Sequence, residues 1–147
     1  MWMPFVKEGN CFVRPEPGAV SEWIFRAKAS LALAKVVAEG VLYEDLCYQA
    51  QQAAEKALKA VYLSRQVPFA YIHNIDTLLL GLESIGLEIP ESVDAAGELT
   101  RYAIETRYPG AFDPITPEDH TRAIGLAETV LGWAQVQIGQ AGSRSST

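Results

Sequence analysis

The sequence predicts an all-α, up-and-down bundle of four long helices and one shorter helix. Three observations carry this expectation. Apolar residues recur at three- and four-residue steps in several separate segments. Prolines, glycines and capping residues punctuate the chain between those segments, and no stretch reads better as a strand. With 147 residues, 49% of them apolar and 20% charged, the chain has enough apolar side chain for one core and suits a single domain.

Residues 1 to 20 hold Pro4, Pro15, Pro17 and Gly18 and no helical period, so they read as an N-terminal arm. The first helix is expected to start at Ser21, whose hydroxyl can cap, with Val20 and Phe25 as a hydrophobic staple. Ile24, Ala27, Leu31, Ala34 and Ala38 then form one apolar stripe, and Gly40 ends it. A second helix runs from about Tyr43 to Arg65, before Pro68. Its small residues Ala50, Ala53, Ala54 and Ala57 let a neighbouring helix approach closely. Gln52, Lys56 and Lys59 share another side, with Glu55 at the margin.

Asn74 caps a third helix carrying Ile75, Leu78, Leu79 and Leu82, which Gly86 stops. A fourth opens with Pro90 at its first position and runs to about Arg107. Thr116, Pro117 and Asp119 mark the start of a fifth, extending to about Ile138. Ile124, Ala127, Leu131, Ala134 and Ile138 form its main stripe, and Leu126, Val130, Trp133 and Val136 widen it enough to suggest contact with a second subunit. Residues 21–138 are therefore read as the bundle and 139–147 as a flexible tail.

Composition narrows the function. Twelve Lys+Arg against eighteen Asp+Glu give a net charge of -6, which argues against a protein that coats nucleic acid but allows a local basic pocket. No apolar run approaches about 20 residues, so no membrane span is expected. The N-terminus lacks the basic flank and apolar stretch of a secretory signal, and the reading is cytoplasmic. Cys11 and Cys47 are far apart, as are His73 and His120, so neither a zinc site nor a cofactor is expected. Phosphate-binding glycine loops and nucleophile elbows are missing as well. Any bound nucleotide must be held by side chains on the bundle.

The run Cys47-Tyr48-Gln49-Ala50-Gln51-Gln52-Ala53-Ala54-Glu55-Lys56-Ala57-Leu58-Lys59-Ala60, preceded by Glu39-Gly40-Val41-Leu42-Tyr43-Glu44-Asp45, resembles the HEPN domain family. His73 before a leucine-rich helix and Arg107-Tyr108-Pro109 fall where that family places its His and its Arg-Tyr-Pro. The resemblance implies a compact helical bundle that dimerises. It also implies nucleotide binding and companionship with a minimal nucleotidyltransferase in a toxin–antitoxin-like pair.

Many HEPN relatives are metal-independent RNases that use an Arg separated by four to six residues from a His. Here twelve residues lie between Arg107 and His120, and seven between Arg65 and His73. The spacing is not met, so the reading favours a binding module over a metal-independent RNase, with a purely structural dimer module as a second alternative.

The nucleotide-binding candidates are Gln52, Lys56, Lys59, His73, Arg107 and Tyr108. In that role lysines and arginine meet phosphate, Gln52 reads a base or ribose edge, and Tyr108 offers a stacking platform. If there is catalysis, Arg107 with His73 or His120 would supply the cation and base it needs. Each candidate also has a plainer role. His73 can brace a turn, Arg107 can complement a helix dipole, the lysines can line a solvated face, and Glu55 can simply pair with Lys59 along the helix.

Overall fold

In a computed structural model, described over residues 6–7, 10–11, 14–69, 72–105 and 113–145, the protein is an all-α bundle. A two-residue antiparallel ladder, β1 (Val6–Lys7) with β2 (Asn10–Cys11), lies in the arm and was not foreseen from the sequence. The helices are α1 (Val20–Ala34), α2 (Tyr43–Ser64), α3 (Ile75–Ser84), α4 (Glu91–Asp94), α5 (Thr100–Glu105) and α6 (Pro117–Ser145). A 3-10 turn over Ala95–Leu99 joins α4 to α5.

The second helix is the axis of the molecule. It packs along α1 on one side and α6 on the other, and Ala50, Ala53, Ala54, Ala57 and Ala60 are all fully buried. Side chains this small let three helices approach without a void, which close packing of the interior demands. α1 runs against it, since Val20 at its start borders the same hollow as Ser64 while Ser30 meets Lys56, whereas α6 runs with it: His120 lies beside Tyr43 and Arg65 reaches Gln137. Leu58, Ile75, Leu78, Leu82, Leu99 and Val130 fill the remaining core.

Several boundaries differ from the sequence reading, each for a local reason. α1 begins at Val20 with Ala19 as its uncapped N-cap. In place of a Ser21 hydroxyl cap, Glu22 Oε1 accepts from the Gly18 amide at 2.8 Å. The helix ends at Ala34, six residues before Gly40. The Ala34 carbonyl is taken by His120 Nε2 at 2.7 Å, so it is not left to the amide of Ala38. Ala38 is accordingly exposed in the connection to α2.

The fourth helix is broken into α4, the 3-10 turn and α5, and Pro90 is its N-cap rather than its first residue. Gly97 packs where any Cβ would meet the Asp76 carboxylate, and a glycine mid-segment weakens a regular helix. α6 continues past Ile138 to Ser145. Glycine stops a helix when it turns to positive φ, and Gly139 and Gly142 do not, unlike Gly40 and Gly86.

Other expectations hold in detail. Asn74 Oδ1 accepts from the Thr77 amide, and Thr116 and Asp119 form a reciprocal cap at the start of α6.

Candidate functional site

The polar groups of interest arise from two adjacent stripes on α2. Gln51, Glu55 and Lys59 stand at successive four-residue steps, and Gln52 and Lys56 form the next row. The first stripe faces inward: Gln51, Glu55 and Lys59 are respectively 0%, 4% and 4% exposed.

Glu55 is the hub. Its Oε1 accepts from His73 Nδ1 at 2.8 Å and from Gln51 Nε2 at 3.3 Å, and its Oε2 accepts from Lys59 Nζ at 3.3 Å. A buried carboxylate is tolerable because it is paired and hydrogen-bonded on both oxygens. Gln51 also donates to the His73 carbonyl at 3.1 Å, and its own oxygen accepts from Gln52 Nε2 at 2.7 Å. Ring and backbone of His73 are therefore both tied to α2, although the residue lies eighteen positions further along the chain than Glu55.

A carboxylate only accepts, so His73 Nδ1 carries the proton and Nε2 is left with its lone pair when the ring is neutral. The His73 side chain is 54% exposed while that of Glu55 is 5% exposed. A surface imidazole is thus held in a fixed orientation by a buried anion.

Cations and aromatic rings surround this pair. Lys56 Nζ donates to the buried Ser30 hydroxyl at 2.8 Å. Burial lowers the Lys56 pKa below the usual lysine range, the neighbouring Arg26 lowers it further, and Glu55 opposes both. Arg26, on the exposed side of α1, pairs with Glu22 at 3.5 Å. Lys59 Nζ lies 5.5 Å from the Phe69 ring centre, within cation–π range. Phe69 in turn meets Trp23 and Tyr62 edge-on.

The sequence candidates distribute unevenly over this arrangement. Gln52 and Lys56, both partly buried, stand beside the Gln51 and Glu55 that hold the exposed His73. Lys59 does not share the row of Gln52 and Lys56; it is buried beside Glu55 and Phe69, because the eight-residue step from Gln51 places it on the inner stripe.

His120 is elsewhere. It is buried, its Nε2–H donates to the Ala34 carbonyl, and its ring lies 5.3 Å from that of Tyr43. Tyr43 is twelve residues before Glu55 on α2, about 18 Å along the helix axis. His120 ties the start of α6 to the end of α1, and the two histidines cannot act on one small group. Arg107 and Tyr108 lie outside the described residues.

Sequence reasoning missed Gln51, Ser30, Arg26 and Phe69. The Gln51-Glu55-Lys59 spacing was a usable signal, since it aligns three polar residues on one stripe flanked by alanines. Among the described residues, no group of three or more His, Cys, Asp or Glu side chains is placed to hold a metal. No helix among them is long and apolar enough to cross a membrane.

The bundle and its α2 network define a compact all-α module with a buried acid supporting a surface histidine. The HEPN domain profile matches residues 20–137, and the chain belongs to the HEPN family. It is similar to TT1696 from Thermus thermophilus, with 32% identity and a TM-score of 0.72 over 80% of this chain and 97% of that one. It is also similar to ST0689, described as an archaeal HEPN homologue, with 27% identity and a TM-score of 0.65 over 82% of this chain and 98% of that one. Among curated proteins, none matches this sequence.

Proposed function

We propose that this HEPN protein is a binding module that holds a nucleotide or an RNA phosphate on the α1–α2 face. The observation that carries the reading is the half-exposed His73 ring fixed by buried Glu55, whose own neighbours within one turn of α2 include Lys56 and Gln52. Arg26 and Lys56 supply charge for phosphate, and His73 and Gln52 supply directional hydrogen bonds. Orienting these groups before the ligand arrives reduces the ordering cost of binding.

The test is anisotropy of a labelled single-stranded RNA, and of a labelled nucleotide, in EDTA. Binding should weaken about tenfold in His73→Ala, consistent with one lost hydrogen bond to a charged partner. Absence of binding by the wild type, or wild-type affinity in both His73→Ala and Lys56→Ala, would sink the proposal.

The protein also fits a homodimer that partners a minimal nucleotidyltransferase, in keeping with the family resemblance. The apolar residues Leu33, Val36, Val37 and Leu42, exposed around the α1–α2 connection, offer more contact surface than α6, where Val136 is the exposed large apolar residue among those described. Pull-down of the tagged protein from its native lysate in EDTA, with sedimentation at several concentrations, tests both associations.

A second reading, metal-independent RNA cleavage, is favoured by one feature: a carboxylate-held imidazole with Nε2 outward is the arrangement of a general base. It predicts cleavage in EDTA that is lost in His73→Ala and in Arg107→Ala. Activity that survives both substitutions excludes it.

A further inference from the structure

A second polar site lies at the other end of α2. Arg65, the C-cap of that helix, lines a cavity of about 480 Å³ bounded by the α3–α4 connection and the second half of α6. Its volume falls in the range of small-molecule pockets. Leu87 gives an apolar wall, and Trp133, Gln137 and Gln140 contribute one face of α6. These three α6 residues follow at steps of four and three, so they line up along the helix. Gly86, at φ +101, turns the chain so that Leu87 and Glu88 both reach the cavity.

The guanidinium of Arg65 is incompletely used. Nη2 donates to the Gln137 carbonyl at 3.2 Å and, at 3.5 Å, to its side-chain oxygen. Nε is buried and has no acceptor among the described residues. No carboxylate among them pairs with Arg65, whereas Arg26 and Arg122 each have one. A half-buried arginine without a counter-anion is unusual, because most buried charges are paired.

Next door the chain closes α2: Gln66 takes the left-handed conformation, φ 59, that ends a helix, with its amide on the Leu63 carbonyl and the Val67 amide on the Tyr62 carbonyl. Gln66 and Arg65 both border a second hollow.

We propose that this cavity binds a small molecule joining an oxyanion to a flat unsaturated ring. The oxyanion meets the Arg65 guanidinium, whose planar fork suits carboxylate and phosphate alike. The ring lies against the Trp133 indole, where offset stacking adds to apolar burial. Glu88 also lines the cavity, and its carboxylate opposes any bound anion by like-charge repulsion. The site shares no residue with the α1–α2 face, so it stands or falls independently of the function proposed there.

The test uses phenyl phosphate, benzoate and inorganic phosphate, each titrated against the ¹⁵N-labelled full chain. The indole N–H resonance of Trp133 is assigned with Trp133→Phe. One of the two aromatic anions should move that resonance at sub-millimolar to low-millimolar concentration, and which of them binds tighter distinguishes a phosphate ligand from a carboxylate. Inorganic phosphate should bind at least about tenfold more weakly than the preferred aromatic anion, for lack of the stacking contribution.

Arg65→Gln should abolish the shift. Glu88→Gln should tighten binding by removing a like charge, an effect that a purely structural Arg65 would not produce and that can be read even if Arg65→Gln fails to fold. Lys28→Ala, at an exposed position of α1 outside both sites, should leave this titration unaltered. The proposal is overturned if neither aromatic anion moves Trp133, if inorganic phosphate binds as well as they do, or if Glu88→Gln leaves the affinity unaltered.

Discussion

His73 Nδ1 lies 2.8 Å from Glu55 Oε1, joining a ring that is more than half exposed to a carboxylate that is almost wholly buried. The same carboxylate holds Lys59 at 3.3 Å. One acid therefore anchors a buried cation below and a surface imidazole above, so its removal affects stability and the surface site together.

Glu55→Ala leaves the Lys59 ammonium buried without its counter-ion. Breaking a buried pair from one side costs about 3–5 kcal/mol, and urea unfolding should show a loss on that scale. The double variant Glu55→Ala with Lys59→Met should recover much of it, because no uncompensated charge remains. A double variant no more stable than Glu55→Ala would mean that the pair is not what makes the single change costly.

The two histidines should behave in opposite ways. His120→Ala removes the donor to the Ala34 carbonyl and empties a buried position, with an expected cost of about 1–3 kcal/mol and RNA or nucleotide affinity unchanged. His73→Ala should change the melting temperature little and the affinity strongly. Equal effects on both properties from both substitutions would contradict this division.

Two glycines can be ranked. A Cβ at Gly81 would run into the Tyr62 hydroxyl, which is fixed by donating to the Leu78 carbonyl at 2.7 Å. Gly81→Ala should therefore destabilise the protein by about 1–3 kcal/mol, the usual scale of overpacking. At Gly97 the obstacle is the Asp76 side chain, which is exposed and can swing away. Gly97→Ala should cost less, and thermal melts of the two variants decide the order.

Burial pushes the Cys47 thiol up to about 11, with Asp119 and Glu44 adding to the rise. Native protein at pH 8 should resist thiol-labelling reagents at Cys47 and become reactive there on unfolding. The shift also sets a pH dependence. Between about 9 and 11 the unfolded thiol ionises while the folded one keeps its proton, so the folded state binds more protons and stability falls as pH rises. Tyr102, pushed up to about 12 mainly by burial, acts in the same direction at higher pH. Cys47→Ala should flatten the first part of that decline in denaturation midpoints measured from about pH 8 to 11.

Much of the bundle was legible because helix signals are local. The Asn74 cap, the Thr116–Asp119 cap and the alanine face of α2 depend on neighbours within one or two turns, and all occur as the spacing implies. Helix ends were less legible where a distant residue intervened. α1 stops at Ala34 where His120, 86 residues further along, binds its carbonyl, and the fourth helix breaks where Gly97 meets Asp76.

For the candidate site, the residue types on α2 could be read but their depth could not. Glu55 and Lys59 were recognisable as a pair at favourable spacing. That the pair is buried depends on Phe69 and His73 folding back across α2, a contact between segments that periodicity does not encode.

By itself, then, the sequence determined an all-α bundle, its alanine-lined central helix and the resemblance to the HEPN family. These follow from propensity, capping and apolar period, which act over a few residues at a time. Only the tertiary structure decided which histidine reaches the surface site, which lysine is buried, and that Arg65 faces a cavity without a counter-anion. Those outcomes depend on which groups lose water when distant segments pack together, and desolvation is a property of the assembled fold.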